Sequence, residues 1–157
     1  SFPDELAAVT EQVAGWPAAV RALVAATPPE RLVRHDVFHL APALTSYVHA
    51  RTVLVGDAAH ALVPTMGQGA NTALEDGVSL GPLLGTGDLQ TGLQAFDRAR
   101  RPRTQAIARR SLATGKLGAD LRNPWARGLR DAVLRALPAA AITRSGTALL
   151  HWRPPTG

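Results

Sequence analysis

The sequence has no cysteine and only one methionine among its 157 residues. The absence of cysteine excludes disulfides, thiolate zinc sites, iron–sulfur clusters and a cysteine nucleophile. Long uncharged apolar runs are also missing. The longest Ala-rich stretch near the start, PAAVRALVAA, is interrupted by Arg21 and is too short to span a bilayer. There is no basic start followed by an uninterrupted apolar core, which a secretory signal needs. We therefore expect a cytoplasmic protein that does not contact a membrane.

The composition is that of a folded chain, with 46% hydrophobic and 18% charged residues. Its charge is uneven: residues 1–97 carry four basic and ten acidic side chains, whereas residues 98–157 carry thirteen basic and two acidic ones. A basic half could bind an anionic partner, but solvated helical faces give the same pattern. Aromatic residues are not interleaved with the arginines, so a nucleic-acid-binding module is the weaker alternative, and salt-dependent binding would test it.

Sequence signals predict a mainly helical chain with a few strands. The predicted helices cover residues 3–15, 17–26, 70–84, 89–100, 102–117 and 129–137. Pro102 either begins the fifth of these helices or kinks a longer one. RLVRHDVFHL over residues 31–40 predicts an extended strand, and the run TVLV over 52–55 predicts a strand buried on both faces.

The predicted central helix has its small and apolar residues on one face, at Ala70, Ala73, Leu74, Gly77, Val78, Gly81 and Leu84. Small residues would let this face lie close to a neighbouring element. Glu75 and Asp76 stand toward the N-terminal end of the helix, where the helix dipole favours negative charge.

A carboxylate follows the predicted strand over 52–55, which runs directly into Gly56-Asp57. The carboxyl edge of an open α/β sheet is where such sheets bind ligands. Asp57 could accept hydrogen bonds from ligand hydroxyl groups at that edge. Gly56 leaves room for the ligand, because it has no side chain to obstruct the approach.

A glycine-flanked turn, Gly67-Gln68-Gly69, comes after Pro64 and opens the central helix. The two glycines allow backbone amides to approach a planar ligand closely. The free N–H groups at the start of the helix favour a negatively charged group. Asn71 in the first turn can both donate and accept hydrogen bonds.

These motifs occur in the order RTVLVGDAAHALVPTMGQGANTALEDGVSL over residues 51–80. This segment resembles the FAD-dependent monooxygenases of the para-hydroxybenzoate hydroxylase type, the aromatic-ring hydroxylases. FDRARRPR over 96–103 stands where those enzymes have a similar element. The resemblance implies an α/β fold of the FAD/NAD(P)-binding, Rossmann-like class. This chain would be a mainly helical C-terminal fragment of that fold with a few strands.

The resemblance also implies which residues contact FAD. Asp57 would hydrogen-bond the ribityl chain, Pro64 would pack beside the isoalloxazine, and backbone amides of residues 67–71 would meet the pyrimidine edge. The complete cofactor-binding set is Gly56, Asp57, Pro64, Gly67, Gln68, Gly69, Ala70 and Asn71. No catalytic residue and no metal ligand is assigned, because the cofactor supplies the difficult chemistry.

The activity implied by the resemblance is hydroxylation of an aromatic or polyketide-like substrate, with NADH or NADPH as the reductant and O2 as the oxygen source. The GxGxxG sequence that binds the ADP half of FAD is absent, and the chain starts at Ser1. We therefore expect a missing N-terminal half as a partner, and an isolated chain that is inactive. Two alternatives stay open: a non-catalytic truncated or split fragment, and a related flavoprotein halogenase or reductase.

Three regions follow from this interpretation. Residues 1–50 would end the substrate-binding region and return to the FAD domain, residues 51–117 would form the C-terminal part of the FAD-binding domain, and residues 118–157 would form a last helix and a tail. His60 is expected to be a hydrogen-bonded structural residue rather than a base. Trp125 and Trp152 are expected to be core or interface aromatics.

Overall fold

Helices dominate the computed structural model of the chain, which describes residues 4–85, 87–118, 121, 123–138, 140 and 151–155. The helices are α1 (Glu5–Gln12), α2 (Ala18–Ala25), α3 (Asp57–His60), α4 (Gly69–Leu84), α5 (Leu89–Gly118) and α6 (Pro124–Ala136). The strands are β1 (Val48–His49) and β2 (Thr52–Val53), and 3-10 turns cover Pro29–Arg31 and Pro64–Met66. Within the described ranges no helix is both long enough and apolar enough to cross a membrane.

The chain divides into two compact units, residues 1–36 and residues 37–157. In the first unit, Asp4 caps α1 by accepting a hydrogen bond from the amide of Ala7 at 3.0 Å. Arg34 in the same unit pairs with Glu5 at 3.0 Å and with Asp36 at 2.9 Å. The three regions predicted from the sequence, with boundaries at residues 50 and 117, were defined by function and not by packing. That functional division stays a prediction.

One sequence-based strand prediction is wrong, and a second is confirmed only in part. Residues 32–40 form no regular strand, and Val33 and Phe38 are 70% and 81% exposed. The run over 52–55 is a strand only at Thr52–Val53, which pairs antiparallel with Val48–His49. A strand buried on both faces needs neighbours on both sides and cover above and below. The described residues supply one partner strand of two residues, so Leu54 and Val55 stay more than a third exposed.

The second unit is built on the packing of α5 against α4 and on the hairpin beside them. Phe96 of α5 lies with Tyr47 and Ala59 in a buried apolar cluster. The phenol of Tyr47 shares a hydrogen bond with the hydroxyl of Thr104 at 2.7 Å, and the amide of Tyr47 donates to the Asp97 carboxylate at 2.7 Å. The segment that precedes β1 is therefore fixed to α5 by polar contacts as well as by burial.

A single helix, α5, runs through Pro102, so the proline does not begin a new helix. It runs over 30 residues with Pro102 inside it. The proline removes one backbone donor, but the buried side chains on either side, Leu93, Phe96 and Ile107, follow one helical face. Continuous packing of that face keeps the helix intact through the proline.

The last helix, α6, confirms the prediction for residues 129–137 and begins five residues earlier, because Asn123 caps it. The Asn123 side chain accepts hydrogen bonds from the amides of Trp125 and Ala126 at 2.9 and 3.3 Å. Trp125 is 88% exposed, so it is not a core residue, and its expected place in an interface stays a prediction. Trp152 lies half-buried, with its ring against a guanidinium group described below.

The tight packing of Gly92 of α5 against the end of α4 predicts that two Gly→Ala substitutions will have opposite effects on stability. A Cβ at Gly92 would collide with the carbonyl oxygen of Leu83, a backbone atom that cannot rotate away. We expect Gly92→Ala to lower the free energy of unfolding by about 1–3 kcal/mol, as overpacking does. The matched control is Gly128→Ala in α6, where a Cβ would meet nothing within 4 Å. This control should gain up to about 1 kcal/mol from helix propensity. Equal effects in urea unfolding would contradict the packing argument.

Candidate functional site

The turn at Gly56 is where the predicted ligand-binding motif meets α4. Gly56 has φ +56° and ψ −140°. Glycine adopts this conformation readily, whereas any residue with a Cβ would be strained in it. A Cβ at this position would also lie 3.3 Å from the Cβ of Ala73. The amide of Gly56 donates a hydrogen bond to the Asp76 carboxylate at 2.9 Å. Glycine is thus required by the backbone and by contact with α4, in addition to any need for ligand access.

Asp57 is the first residue of α3, and its side chain is exposed. Among the residues that the structure describes, none hydrogen-bonds its carboxylate. Its carbonyl oxygen accepts from the amide of Ala61 at 3.2 Å, so the backbone is used while the side chain is free. A role limited to capping a helix would leave the carboxylate bonded to backbone amides.

The glycine turn closes on the 3-10 turn Pro64–Met66. The amide of Gly67 donates to the carbonyl of Pro64 at 2.9 Å, and Gly67 has φ +62°. The first α4 amide with an acceptor inside the helix is that of Thr72, which donates to Gln68 at 2.9 Å. The amides of the residues before it lie at the positive end of the helix dipole, and no intrahelical acceptor is available to them.

The side chains around this turn are mostly open to solvent. Pro64, Gly67, Ala70 and Asn71 are exposed, whereas Gln68 and Gly69 are half-buried. The Asn71 side-chain amide is 3.5 Å from Gln68 Oε1, which is a long and weak hydrogen bond. The structure therefore brings the Gly56–Asp57 turn, called the GD turn below, against α4 through Ala73, two residues beyond Asn71, and leaves Asp57 and the start of α4 accessible.

A buried ion cluster, which the sequence analysis missed, lies directly behind these residues. Arg100 of α5 is fully buried and binds three groups of α4. Its Nε donates to Asp76 Oδ1 at 2.7 Å, and its two terminal nitrogens donate to Glu75 Oε2 at 2.7 Å and to the carbonyl of Thr72 at 3.2 Å. The ring of Trp152 lies 5.2 Å from the guanidinium carbon, within the range of a cation–π contact.

Two further residues complete the cluster. Arg103 binds both oxygens of Glu75, at 2.7 and 2.8 Å. His60 Nε2 lies 2.6 Å from Asp76 Oδ2, the same oxygen that accepts from the Gly56 amide. His60 is 4% exposed, in agreement with the structural role expected for it. We define the ion cluster as His60, Glu75, Asp76, Arg100 and Arg103.

The position of Glu75 and Asp76 corrects the expectation based on the helix dipole. Both residues lie beyond the first turn of α4, which begins at Gly69. Their charges are balanced by Arg100 and Arg103 instead. The signal in the sequence was the pair of segments LED and FDRARRPR, whose opposite charges could have been matched across two helices.

The small and apolar face of α4 approaches a described neighbour at Ala73, but it is not the face that α4 buries. The buried residues of this helix are Thr72, Asp76 and Ser79, whereas Leu74 and Val78 are 69% and 53% exposed. The reason is physical: a buried carboxylate must face its cation, and an apolar side chain left in water costs much less than an unpaired buried charge.

The carboxylates of the cluster are ionised more readily than usual. Burial raises the pKa of Asp76, but hydrogen bonds from His60, the Gly56 amide and Arg100 outweigh burial and hold the pKa below its ordinary value of 3.8. Burial acts in the same direction on Glu75, and hydrogen bonds from Arg103 and Arg100 hold its pKa below 4.5. Within the described residues, no group of three or more His, Asp or Glu side chains could hold a metal ion.

Comparison with known proteins places the chain in a family. Residues 16–111 match the family described as FAD binding domain, and the chain belongs to that family. It is 44% identical to a salicylate hydroxylase of Pseudomonas putida over 117 residues, which are 71% of this chain. It is 36% identical to a 2-heptyl-3-hydroxy-4(1H)-quinolone synthase of Pseudomonas aeruginosa over 155 residues, which are 99% of this chain. These findings confirm the resemblance drawn from residues 51–80.

The fold is shared with a solved structure of lower identity. HpxO of Klebsiella pneumoniae, crystallised with FAD and uric acid, matches 95% of this chain with a TM-score of 0.74 at 23% identity. The chain spans 39% of HpxO, 26% of the salicylate hydroxylase and 38% of the quinolone synthase. An FAD-binding fold is thus confirmed, and in the described residues it is mainly helical with two short strands.

The ion cluster predicts how stability depends on pH. Asp76 and Glu75 have lower pKa values in the folded chain than in the unfolded chain, so the unfolded chain binds more protons near their ordinary values of 3.8 and 4.5. Their contribution is present above this range and is lost as the pH falls through the folded pKa values. We expect the urea midpoint of the wild type to fall between about pH 5 and about pH 3. Asp76→Asn should be less stable throughout, with a shallower fall. An equally steep fall in this variant would contradict the assignment.

Proposed function

We propose that the chain is the C-terminal, flavin-contacting portion of an FAD-dependent monooxygenase. The enzyme would hydroxylate an aromatic or polyketide-like substrate in the cytoplasm, with NAD(P)H and O2. One observation carries the proposal: the GD turn packs on α4 so that the free carboxylate of Asp57 and the open start of α4 lie on adjoining elements. The names of the relatives, a salicylate hydroxylase and a quinolone synthase among them, support the aromatic substrate class.

The chemistry of the exposed groups suits the polyhydroxylated chain and the planar ring of FAD. Asp57 offers carboxylate oxygens that no described residue occupies, and these would accept hydrogen bonds from ribityl hydroxyls. Gly67 and Gly69 have open space where a Cβ would stand, so a ring can approach the backbone there. Pro64 is exposed and rigid, and it would pack against the ring.

The protein's own part in the reaction would be binding and charge stabilisation. When bound, the flavin would supply the redox chemistry and the activation of oxygen. The amides from Gln68 to Asn71, at the N-cap and first turn of α4, would donate to the pyrimidine edge, whereas that of Gly67 already donates to Pro64. The helix dipole would stabilise a negative charge there by about 1 kcal/mol. Asp57 would hold the ribityl chain so that the ring stays in this position.

The remainder of the enzyme would cover the apolar residues that this chain leaves exposed. Leu54 and Val55 follow the strand β2, and Leu74 and Val78 project from α4; all four are more than a third exposed. Burying such side chains stabilises a protein by about 1.5–3 kcal/mol each. We propose that an N-terminal part bearing the GxGxxG sequence covers them. Residues 51–117 would then complete its FAD site, residues 1–50 would end the substrate region, and residues 118–157 would form the last helix and tail.

The first prediction from this function concerns the 157-residue chain alone. It should bind FAD weakly or not at all, because the groups that would hold the ADP half of the cofactor are absent from it. Fluorescence titration with FAD measures this directly, with the complete protein as the positive control. Tight, stoichiometric capture of FAD by the isolated chain would contradict the proposed division of the site.

The second prediction concerns Asp57 in the complete protein. Asp57→Ala should weaken FAD binding by roughly 10-fold to 100-fold, because hydrogen bonds to a charged group contribute about 1.5–3 kcal/mol. Relative rates with different aromatic substrates should change much less. Glu11→Ala is the matched control, since Glu11 is also an exposed carboxylate with no side-chain partner among the described residues. If Asp57→Ala kept its flavin through dialysis as well as the wild type, the role of Asp57 would be wrong.

A further inference from the structure

The orientation of the GD turn depends on one buried oxygen atom, Asp76 Oδ2. The amide of Gly56 donates to this oxygen at 2.9 Å, and His60 Nε2 lies 2.6 Å from it. Gly56 directly precedes α3, and His60 is the last residue of α3. One oxygen atom of α4 is therefore hydrogen-bonded to the residue just before α3 and to the last residue of α3, the four-residue helix that begins with Asp57.

The position of that oxygen is itself fixed. Asp76 is fully buried, and its other oxygen, Oδ1, accepts from Arg100 Nε at 2.7 Å. Arg100 cannot move to follow a displaced carboxylate, because Glu75 and the carbonyl of Thr72 hold its terminal nitrogens. The carboxylate thus has a defined place relative to both α4 and α5.

We propose that Asp76 is a positioning residue for flavin binding: it fixes the Val55–Gly56 peptide through the Gly56 N–H, so that the Asp57 carboxylate stands at the required place beside the start of α4. This inference rests on the proposed function, because the two elements that Asp76 joins are the two that would hold the cofactor. Asp76 itself is buried and does not touch the cofactor. It acts through the Gly56 amide and His60.

Glu75 provides a matched comparison for a role limited to stability. It is the neighbouring carboxylate, it binds the same Arg100 at 2.7 Å, and it also binds Arg103. Its side-chain contacts among the described residues include neither Gly56 nor His60. Glu75→Gln removes a charge from the same ion cluster without touching the GD turn, whereas Asp76→Asn leaves one acceptor oxygen where three donors converge.

The experiment compares both variants in the complete protein with two measurements. Titration with FAD gives the dissociation constant, and hydrogen exchange without FAD reports the protection of the Gly56 amide. We expect Asp76→Asn to weaken FAD binding about tenfold more than Glu75→Gln, after correction for the folded fraction. Only Asp76→Asn should expose the Gly56 amide to faster exchange.

A conservative variant keeps the proposal testable if Asp76→Asn folds poorly. Asp76→Glu retains the charge opposite Arg100 but moves the oxygens by one methylene. The proposal expects it to restore thermal stability toward the wild type without restoring FAD affinity or Gly56 protection. If Asp76→Glu restored all three properties together, charge alone would be sufficient and positioning would be overturned.

The outcomes separate this inference from the proposed function. If the wild type and both variants bind no FAD in the complete protein, the proposed function fails. If the wild type binds FAD and Asp57→Ala loses it, while Asp76→Asn matches Glu75→Gln in affinity and in Gly56 exchange, the function stands and the positioning role of Asp76 is overturned.

Discussion

The buried guanidinium of Arg100 is the constraint on which the rest of the second unit depends. A charge that has no exposed surface must be paired and hydrogen-bonded, because leaving it alone would cost several kcal/mol. α4 supplies the partners through Asp76, Glu75 and the carbonyl of Thr72. These contacts fix the rotation of α4 about its own axis and its position along α5. The ring of Trp152 then covers a cation that is already neutralised.

The pairing of Arg100 with the carboxylates of α4 explains why the apolar periodicity of the sequence predicts the helix but does not predict which face is buried. Sequence signals predicted residues 70–84, and the structure gives Gly69–Leu84. The apolar pattern, however, grouped Leu74 and Val78 on the face expected to lie close to a neighbour, whereas the residue of α4 that lies inward is Asp76. The partner that decides this, Arg100, is 24 residues away in the sequence. A local pattern cannot reveal such a partner, because the energy that selects the face comes from a contact between two helices.

The candidate site divides in the same way into predictable and unpredictable parts. Asp57, Pro64 and the glycine turn could be identified because their order along residues 51–80 is itself a dense local signature. Their assignment to FAD remains a prediction. The supports behind them could not be identified, since the bond between the Gly56 amide and Asp76 joins residues that are 20 positions apart. The strand predicted over 52–55 is shortened to Thr52–Val53 for the related reason that β-pairing depends on neighbours, and the described residues offer a two-residue partner only.

The polar and apolar faces of α4 therefore have different structural roles. Its polar face is satisfied within the described part of the chain, through Asp76 and Thr72. Hydrogen bonds need exact partners, so this face defines how the GD turn is held. Its apolar face, with Leu74 and Val78, requires only to be covered, because hydrophobic burial has no direction. In the proposed enzyme, this chain would set the geometry of its part of the flavin site through charged contacts of its own and would leave apolar surface for another segment to bury. The position of Asp57 would then precede docking rather than result from it.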